Sequence, residues 1–330
     1  MPSENVTVAP RFHPQMSEQD RKNERRLADR IAAALTRTPL IGKSFVRAAP
    51  LHGGKTSTVY KLTASDETLA VLKLAGDIAF MRTEAAALSC WRALGINTPE
   101  VLDVGEFSGE PSLPYLLLEF IEGENLLGYL ESQTGECKNI QRDLGAIQAR
   151  LHQFRVQGFG EAVWDGVSFR GTQTSFRAEL AESGFEDVLA FARTDGRIEQ
   201  SDLARIESAT RVLESHAESC GTRLLHTDFR AGNILYSPNS KRIYTVIDPS
   251  AVVSHPYMCL SYSLVLTEIH GRSDPIHILE GYEQIERVDR SALSAARLLR
   301  AILMLRSFGR DKTTSYAKGL QKVIRCETDV

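Results

Sequence analysis

The sequence predicts an α+β fold of two lobes, a small β-rich N-terminal lobe and a larger helical C-terminal lobe. Three observations predict it. Between Ser44 and Ile121 short β-rich runs surround one helical stretch, in the order strand, strand, helix, strand, strand. Beyond Gly123 apolar residues recur mainly at helical spacing. One β-rich island, residues 233–248, interrupts that helical half. The boundaries that follow are a leader and N-terminal helix over residues 1–43, an N-lobe over 44–122 and a C-lobe over 123–330, joined near Ile121–Asn125.

Met1–Gln15 carries three prolines and reads as a loose leader. Ser17 is a candidate N-cap for a helix to Leu35, with Leu27, Ile31 and Leu35 on one face. Thr56–Leu62 and Thr68–Leu74 read as strands about the turn-like Ala64-Ser65-Asp66. Asp77–Leu94 reads as a helix closed by Gly95 and followed by Pro99. Two short strands are expected around Glu100–Glu106 and Tyr115–Ile121. In the C-lobe, Cys137–Phe154 places Ile140, Leu144, Ile147, Leu151 and Phe154 at alternating spacings of four and three. Leu203–His216 and Ser291–Arg306 are further helices of this kind.

The length suits one large domain or two lobes. A net charge of −3 points away from a general nucleic-acid or membrane-surface binder. The first residues lack the apolar run of a secretory signal. No stretch approaches a membrane span, since Ser291–Phe308 is broken by Arg297, Arg300 and Arg306. The five cysteines are scattered and form no CxxC pair, so neither a disulfide framework nor a zinc site is signalled. A cytoplasmic setting is the simplest expectation.

The chemistry-bearing residues begin with a hairpin. Ile234–Ser237 and Arg242–Ile247 are β-rich runs flanking Pro238-Asn239-Ser240. Folded near Ser240 and Lys241, they set Asn233 opposite Asp248, an amide oxygen beside a carboxylate. Hard oxygen ligands of this kind suit Mg²⁺. The segment His226-Thr227-Asp228-Phe229-Arg230-Ala231-Gly232-Asn233 delivers a second carboxylate, Asp228, to the same end. It also delivers Arg230, whose fork fits phosphate oxygens. A lone His-x-Asp would be an ordinary polar turn. The ordered set His226, Asp228, Asn233, Asp248 is rarer and matches the H-x-D-x-x-x-x-N spacing of kinase catalytic loops.

A matching pair lies in the first lobe. Leu69 and Val71 share a strand face with Lys73, while Ala70, Leu72 and Leu74 share the other. Both faces are apolar, so the ammonium needs a partner. Glu84 falls on the apolar stripe of the following helix, three residues after Met81 and four before Leu88, and is the expected partner. Upstream, Gly53 and Gly54 permit a tight turn, and Gly54 with Ser57 could lie against phosphates. The spacing is not that of a P-loop, and the loop alone is weak evidence.

These residues resemble the aminoglycoside phosphotransferase superfamily, the protein-kinase-like small-molecule phosphotransferases. LHTDFRAGNIL resembles that family's HGDxxxGNIL loop, and VIDP its metal-binding strand end. RTEAAALSCWRALGINTPEVL, PYLLLEFIEGENL and RLHQFRVQGFG resemble its helix-plus-proline, hinge and post-helix segments. The resemblance implies a bilobal protein-kinase-like fold with ATP in the cleft, Glu119–Ile121 meeting the adenine through backbone groups. Two departures stand out. Thr227 replaces the usual glycine, and Cys259 sits where a structural aspartate, of the helix-capping kind, is expected.

The expected reaction moves the γ-phosphoryl group of ATP to a small-molecule hydroxyl. Asp228 and Arg230 are the catalytic candidates, Asn233 and Asp248 the metal ligands. Gly54, Ser57, Lys73, Glu84, Glu119 and Ile121 are the ATP-binding candidates. His226 is expected to organise the loop by hydrogen bonding. From His255 onward 11 Lys and Arg face 9 Asp and Glu, which gives no support to a polycation site, so an amino-sugar or sugar-like metabolite stands beside an aminoglycoside as acceptor. A catalytically silent nucleotide-binding module is the alternative from another class. A protein kinase is disfavoured because no Ala-Pro-Glu-like segment follows Asp248. The sequence leaves the oligomeric state open.

Overall fold

The computed structural model describes residues 6–11, 16–51, 57–109, 111–132, 137–237, 242–271, 274–309 and 311–326. The chain divides into two compact units, Met1–Ser89 with Thr98–Glu122, and Cys90–Asn97 with Gly123–Val330.

The first unit is built on a six-stranded sheet and two helices. In chain order these are β1 (Thr7–Val8), α1 (Glu18–Arg37), β2 (Phe45–Pro50), β3 (Thr58–Ala64), β4 (Leu69–Leu74), α2 (Ile78–Ala93), β5 (Val101–Phe107) and β6 (Leu113–Glu119). The spatial strand order is β1-β2-β3-β4-β6-β5. Helix α1 starts where its chemistry says it should. The Ser17 side chain accepts from Asp20 N–H, and the Asp20 carboxylate reaches back to the Ser17 N–H. Its apolar stripe, Ile31, Ala34 and Leu35, packs with Tyr60, Leu62, Leu72 and Leu117 of the sheet. Met81, Ala85 and Leu88 of α2 pack with Leu116, Leu118 and Val71. Strand β4 therefore has apolar neighbours on both faces. The leader is not wholly loose: Thr7 and Val8 pair in parallel with Arg47 and Ala48, and Arg11 grips Glu24 of α1 at 2.8 Å.

The second unit holds β7 (Glu124–Asn125), α3 (Leu126–Ser132), α4 (Lys138–Leu151), β8 (Phe159–Trp164), β9 (Phe169–Gln173), α5 (Phe176–Glu182), α6 (Phe185–Thr194) and α7 (Gln200–Cys220). They are followed by β10 (Arg223–His226), β11 (Ile234–Ser237), β12 (Arg242–Val246), β13 (Ala251–Ser254), α8 (Pro256–His270), α9 (Ile276–Glu283), α10 (Arg290–Phe308) and α11 (Ser315–Cys326). Its core is formed by α5 to α11, with Leu213, Leu260, Tyr282, Leu299 and Ile302 fully buried. The sequence reading expected one β island here. The structure adds a four-stranded sheet, β10-β13-β8-β9. Strand β10 is buried at every position, so it lacks the alternation that marks a half-exposed strand.

Helices α4 and α9 cross with their backbones in contact. A Cβ on Gly145 would stand 1.9 Å from the Ile278 carbonyl oxygen, and one on Gly281 would stand 1.9 Å from that of Arg142. Both obstacles are helix backbone, so neither can swing aside. Gly145→Ala is expected to destabilise the protein by about 1–3 kcal/mol through overpacking. A denaturant midpoint lowered at unchanged slope is the result that checks it.

Candidate active site

In the first unit, strand pairing sets Lys73 opposite Leu116 of β6 and Val59 of β3. Its side chain projects on the Val71 face, the one packed with α2. There Nζ donates to both Glu84 oxygens, at 2.7 and 2.6 Å. The pair is sealed, with side-chain exposures of 5% and 1%. Two charges out of water need such a two-point contact, because either alone would be a costly buried ion. Ser57 is also buried, just ahead of β3. Gly54 lies outside the described residues. Glu119 ends β6, its N–H donating to the Glu100 carbonyl and its carboxylate accepting from Glu100 N–H. That N–H therefore serves the sheet. Ile121 follows beyond the strand, half-buried.

In the second unit, four of the predicted residues come together around Ile247. His226 ends β10, fully buried, with Nε2 3.0 Å from the Ile247 carbonyl. Facing an acceptor, Nε2 carries the proton. Burial holds this imidazole below its ordinary pKa, so it is neutral. Its ring stacks on Trp91 at 6.0 Å and meets Phe229 edge-on. Ile247 N–H in turn donates to the Asn233 carbonyl at 3.0 Å. One residue thus ties the segment before Asp248 to both ends of the loop. Asp248 follows at φ +55°, left-handed backbone that a non-glycine residue adopts at some cost.

The hairpin register differs by one residue from the sequence reading. Ile234 pairs with Val246, so Asn233 stands opposite Ile247 and Asp248 lies one step beyond. A register shift between Leu235 and Tyr236 displaces the far end. The turn Pro238-Asn239-Ser240 lies outside the described residues.

Within the loop, Asn233 Nδ2 donates to the Asp228 carbonyl at 3.0 Å and to Asp228 Oδ2 at 2.6 Å. The amide nitrogen is committed, which leaves Oδ1 as the end available to a cation. Arg230 Nε donates to Asp228 Oδ1 at 2.7 Å. The carboxylate keeps the guanidinium above its ordinary pKa. The sequence reading aimed Arg230 at phosphate, whereas here its Nε holds the carboxylate. Asp228 and Arg230 are 35% and 42% exposed, open enough for a substrate to reach. A Cβ on Gly232 would stand 2.8 Å from Arg230 Nη1, so the glycine makes room for that side chain.

Several supporting roles escaped the sequence reading. Thr227, in the glycine position, donates to the Ser250 carbonyl through both N–H (3.1 Å) and Oγ1 (2.8 Å). Cys259 is not a helix cap; His255 caps α8, its side chain accepting from Tyr257 N–H. The buried Cys259 thiol donates to the His226 carbonyl at 3.1 Å and accepts from Gln148 Nε2 at 3.0 Å. Burial pushes that thiol up to about 11, so it stays protonated. Gln148 also donates to Ser263, whose hydroxyl reaches the Phe229 carbonyl. A polar position on α4 flanked by apolar ones was the available signal for Gln148. Further along α8, Tyr262 feels the charges of Asp228, Arg230 and Arg300.

Residues 47–289 match the model of the phosphotransferase enzyme family. The chain belongs to that family. It is an enzyme of the small-molecule kinase kind. A relative from Staphylococcus aureus (strain NCTC 8325 / PS 47), named a probable ketoamine kinase, is 22% identical, the alignment covering 87% of this chain and 96% of that protein. Among solved structures, a thermostable mutant of aminoglycoside phosphotransferase APH(4)-Ia, in ternary complex with AMP-PNP and hygromycin B, superposes with a TM-score of 0.58. It is 19% identical, over 90% of this chain and 97% of that one. A candidate fructosamine-3-kinase from Thermobifida fusca YX-ER1 gives a TM-score of 0.55 at 18% identity, over 89% and 98%. These likenesses establish a kinase-like fold for the phosphotransferase. Among its described residues no helix is long and apolar enough to cross a membrane.

Two measurements probe the loop's support. Cys259→Ala, which takes one donor from the His226 carbonyl and leaves one Gln148 N–H without its acceptor, is expected to cost about 1–3 kcal/mol, and Cys259→Ser distinctly less. Thermal midpoints of the two variants check this. The second concerns Glu179 of α5, which accepts from Ser254 Oγ at 2.7 Å. Burial raises its pKa from 4.5 to about 7, opposed by the Ser254 bond and Arg300. The folded state then keeps a proton that the unfolded chain releases. The linked stability is fully present below about 4.5 and is lost as pH rises to about 7. Glu179→Gln is expected to flatten that decline in urea midpoints.

Proposed function

We propose that this phosphotransferase moves the γ-phosphoryl group of ATP onto a hydroxyl of a small sugar-like, amino-sugar or aminoglycoside molecule. The observation that carries this reading is the anchoring of Asp228 and Asn233 to each other and, through Ile247, to Asp248. Asp228 is the group that orients the acceptor hydroxyl and takes its proton. Its two oxygens already accept from Arg230 and Asn233, so the carboxylate is aimed before any acceptor arrives. Arg230 keeps its Nη groups for the transferred phosphoryl while Nε holds Asp228. Lys73, fixed by Glu84, is the cation for the α- and β-phosphates, with Ser57 and Gly54 on the same nucleotide and Glu119–Ile121 beside its base.

The donor set fits a hard divalent cation. Asn233 Oδ1 is turned away from Asp228, and the Asp248 carboxylate follows directly on the anchored Ile247. When bound there, Mg²⁺ would offset phosphate charge. A relative named for ketoamines and one crystallised with hygromycin B support an acceptor carrying hydroxyl groups close to nitrogen. The five scattered cysteines, with no CxxC pair, fit a reducing cytoplasmic setting.

The decisive assay measures Mg²⁺-dependent ATP turnover with a panel of aminoglycosides, sugars, glycated amines and a generic protein. One class of small acceptor is expected to be phosphorylated. Asp228→Asn is expected to lower kcat by about 10²–10⁴ with nucleotide affinity retained, and Lys73→Ala to weaken nucleotide binding. Chelation of Mg²⁺ is expected to stop turnover. Nucleotide binding with no transfer to any acceptor would point to a silent module. Transfer that survives Asp228→Asn would refute the assignment.

A further inference from the structure

The second unit contains a cavity of about 500 Å³ that plays no part in the reaction described above. His152, His216, Cys220, Arg223, Tyr257 and Tyr282 are among its lining residues. Three features of the lining call for a ligand.

The first is a charge without an ion pair at contact distance. Arg223 opens β10 and is only 5% exposed. Its Nη1 donates to the carbonyls of Cys220 (2.7 Å) and Thr222 (3.2 Å), which leaves Nε and Nη2 for another acceptor. No carboxylate among the described residues pairs with it at ion-pair distance, and Arg155 adds a second positive charge nearby. Of the acids on the rim, Asp289 caps α10 by accepting from Ala292 N–H, and Glu286 attracts Arg223 from an exposed position without forming an ion pair. A buried guanidinium that meets only carbonyl dipoles is an incomplete arrangement.

The second is a relay of protons. His255 Nδ1 accepts from Tyr257 N–H at 3.1 Å, so its Nε2 carries the hydrogen. That hydrogen points at His216 Nδ1, 2.8 Å away. His216 must then carry its own proton on Nε2, a further donor on the lining. The third is His152, which is 4% exposed. Its Nδ1 meets the Tyr282 hydroxyl at 2.9 Å, and its Nε2 has no hydrogen-bond partner.

The ligand could in principle be a cation, since His216, Cys220 and His255 bring donor atoms within 4.8 Å of one another. The tautomers oppose that. The His255 nitrogen facing His216 holds a proton and not a lone pair, and freeing it would break the helix cap. The guanidinium beside the cluster repels a dication as well. We propose that this cavity is a binding site for a small oxyanion, a phosphate ester or carboxylate, with Arg223 as its charge partner and His216 Nε2–H as a donor. The site is joined to the catalytic loop by covalent structure. Strand β10 runs from Arg223 to His226, and α8 runs one turn from His255 to Cys259, which bonds the His226 carbonyl.

The test titrates the full-length protein with inorganic phosphate and, separately, with citrate, at ionic strength held constant with sodium chloride. The readout is the histidine ring Cε1–H resonances, the His216 signal being the one lost in His216→Gln. A saturable shift of that signal is expected, with phosphate or citrate alone defining which oxyanion chemistry is preferred. Arg223→Gln is expected to weaken the apparent affinity at least about tenfold, the loss of a charge-assisted pair, and Arg230→Gln to leave it unchanged. Cys220→Asp, which supplies an internal carboxylate and keeps the buried arginine, is expected to abolish the response. Equal affinity in wild type, Arg223→Gln and Cys220→Asp would overturn the proposal. So would silence of the wild type toward both anions, and a Co²⁺ thiolate charge-transfer band would then assign the cluster to a cation instead.

Discussion

The Nε2–H of a neutral, fully buried His226 donates to the Ile247 carbonyl, and the segment from Asp228 to Asp248 hangs from that bond. The same peptide turns its N–H to the Asn233 carbonyl, so one residue of the returning strand is held at both poles. Because both hydrogen bonds lie in a water-poor interior, they are directional and expensive to leave unmade. Asp228 and Asp248 inherit their places from this frame. Neither carboxylate chooses its own position; each stands one or two residues along from a backbone group that cannot move. The left-handed backbone at Asp248 is the local cost of bringing its side chain back after the strand ends.

The Lys73–Glu84 pair answers a different constraint. A strand with apolar neighbours on both faces has no wet side on which to park an ammonium, so the helix opposite must supply a carboxylate. Such pairs add little net stability, and replacing both partners by apolar residues is often neutral. In the proposed function the sealed pair supplies a fixed cation for a polyphosphate, a role separate from its small effect on the fold.

How much of this was legible in the sequence depended on the range of the interactions. The cap at Ser17, the strand-helix-strand order and the Lys73–Glu84 pair follow from local periodicity and from the rule that buried charges are paired. The His226 to Asp248 segment was legible as a motif because its spacing is short and its residue types are unusual together. Long-range pairing was not. Strand β10, buried on all sides, gives no alternating pattern, and β8 and β13 are recognisable only by their partners. The hairpin register came out one residue off because counting about a midpoint cannot anticipate an irregularity such as that between Leu235 and Tyr236. Arg230 was read as a phosphate ligand from its chemistry alone; its hold on Asp228 depends on the room left by Gly232, a fact of packing. The thiol of Cys259 looked like a missing acid, yet it fills a donor's role.

Thr227 has a thermodynamic corollary. A glycine at that position would leave the unfolded chain many more conformations to surrender on folding. The β-branched residue narrows that ensemble beforehand, and its hydroxyl and amide then converge on a single carbonyl at Ser250. The Asp228 loop is thereby ordered by the protein's own folding, and under the proposed function a nucleotide or acceptor arriving there finds a surface already set, with little entropy left to extract from it.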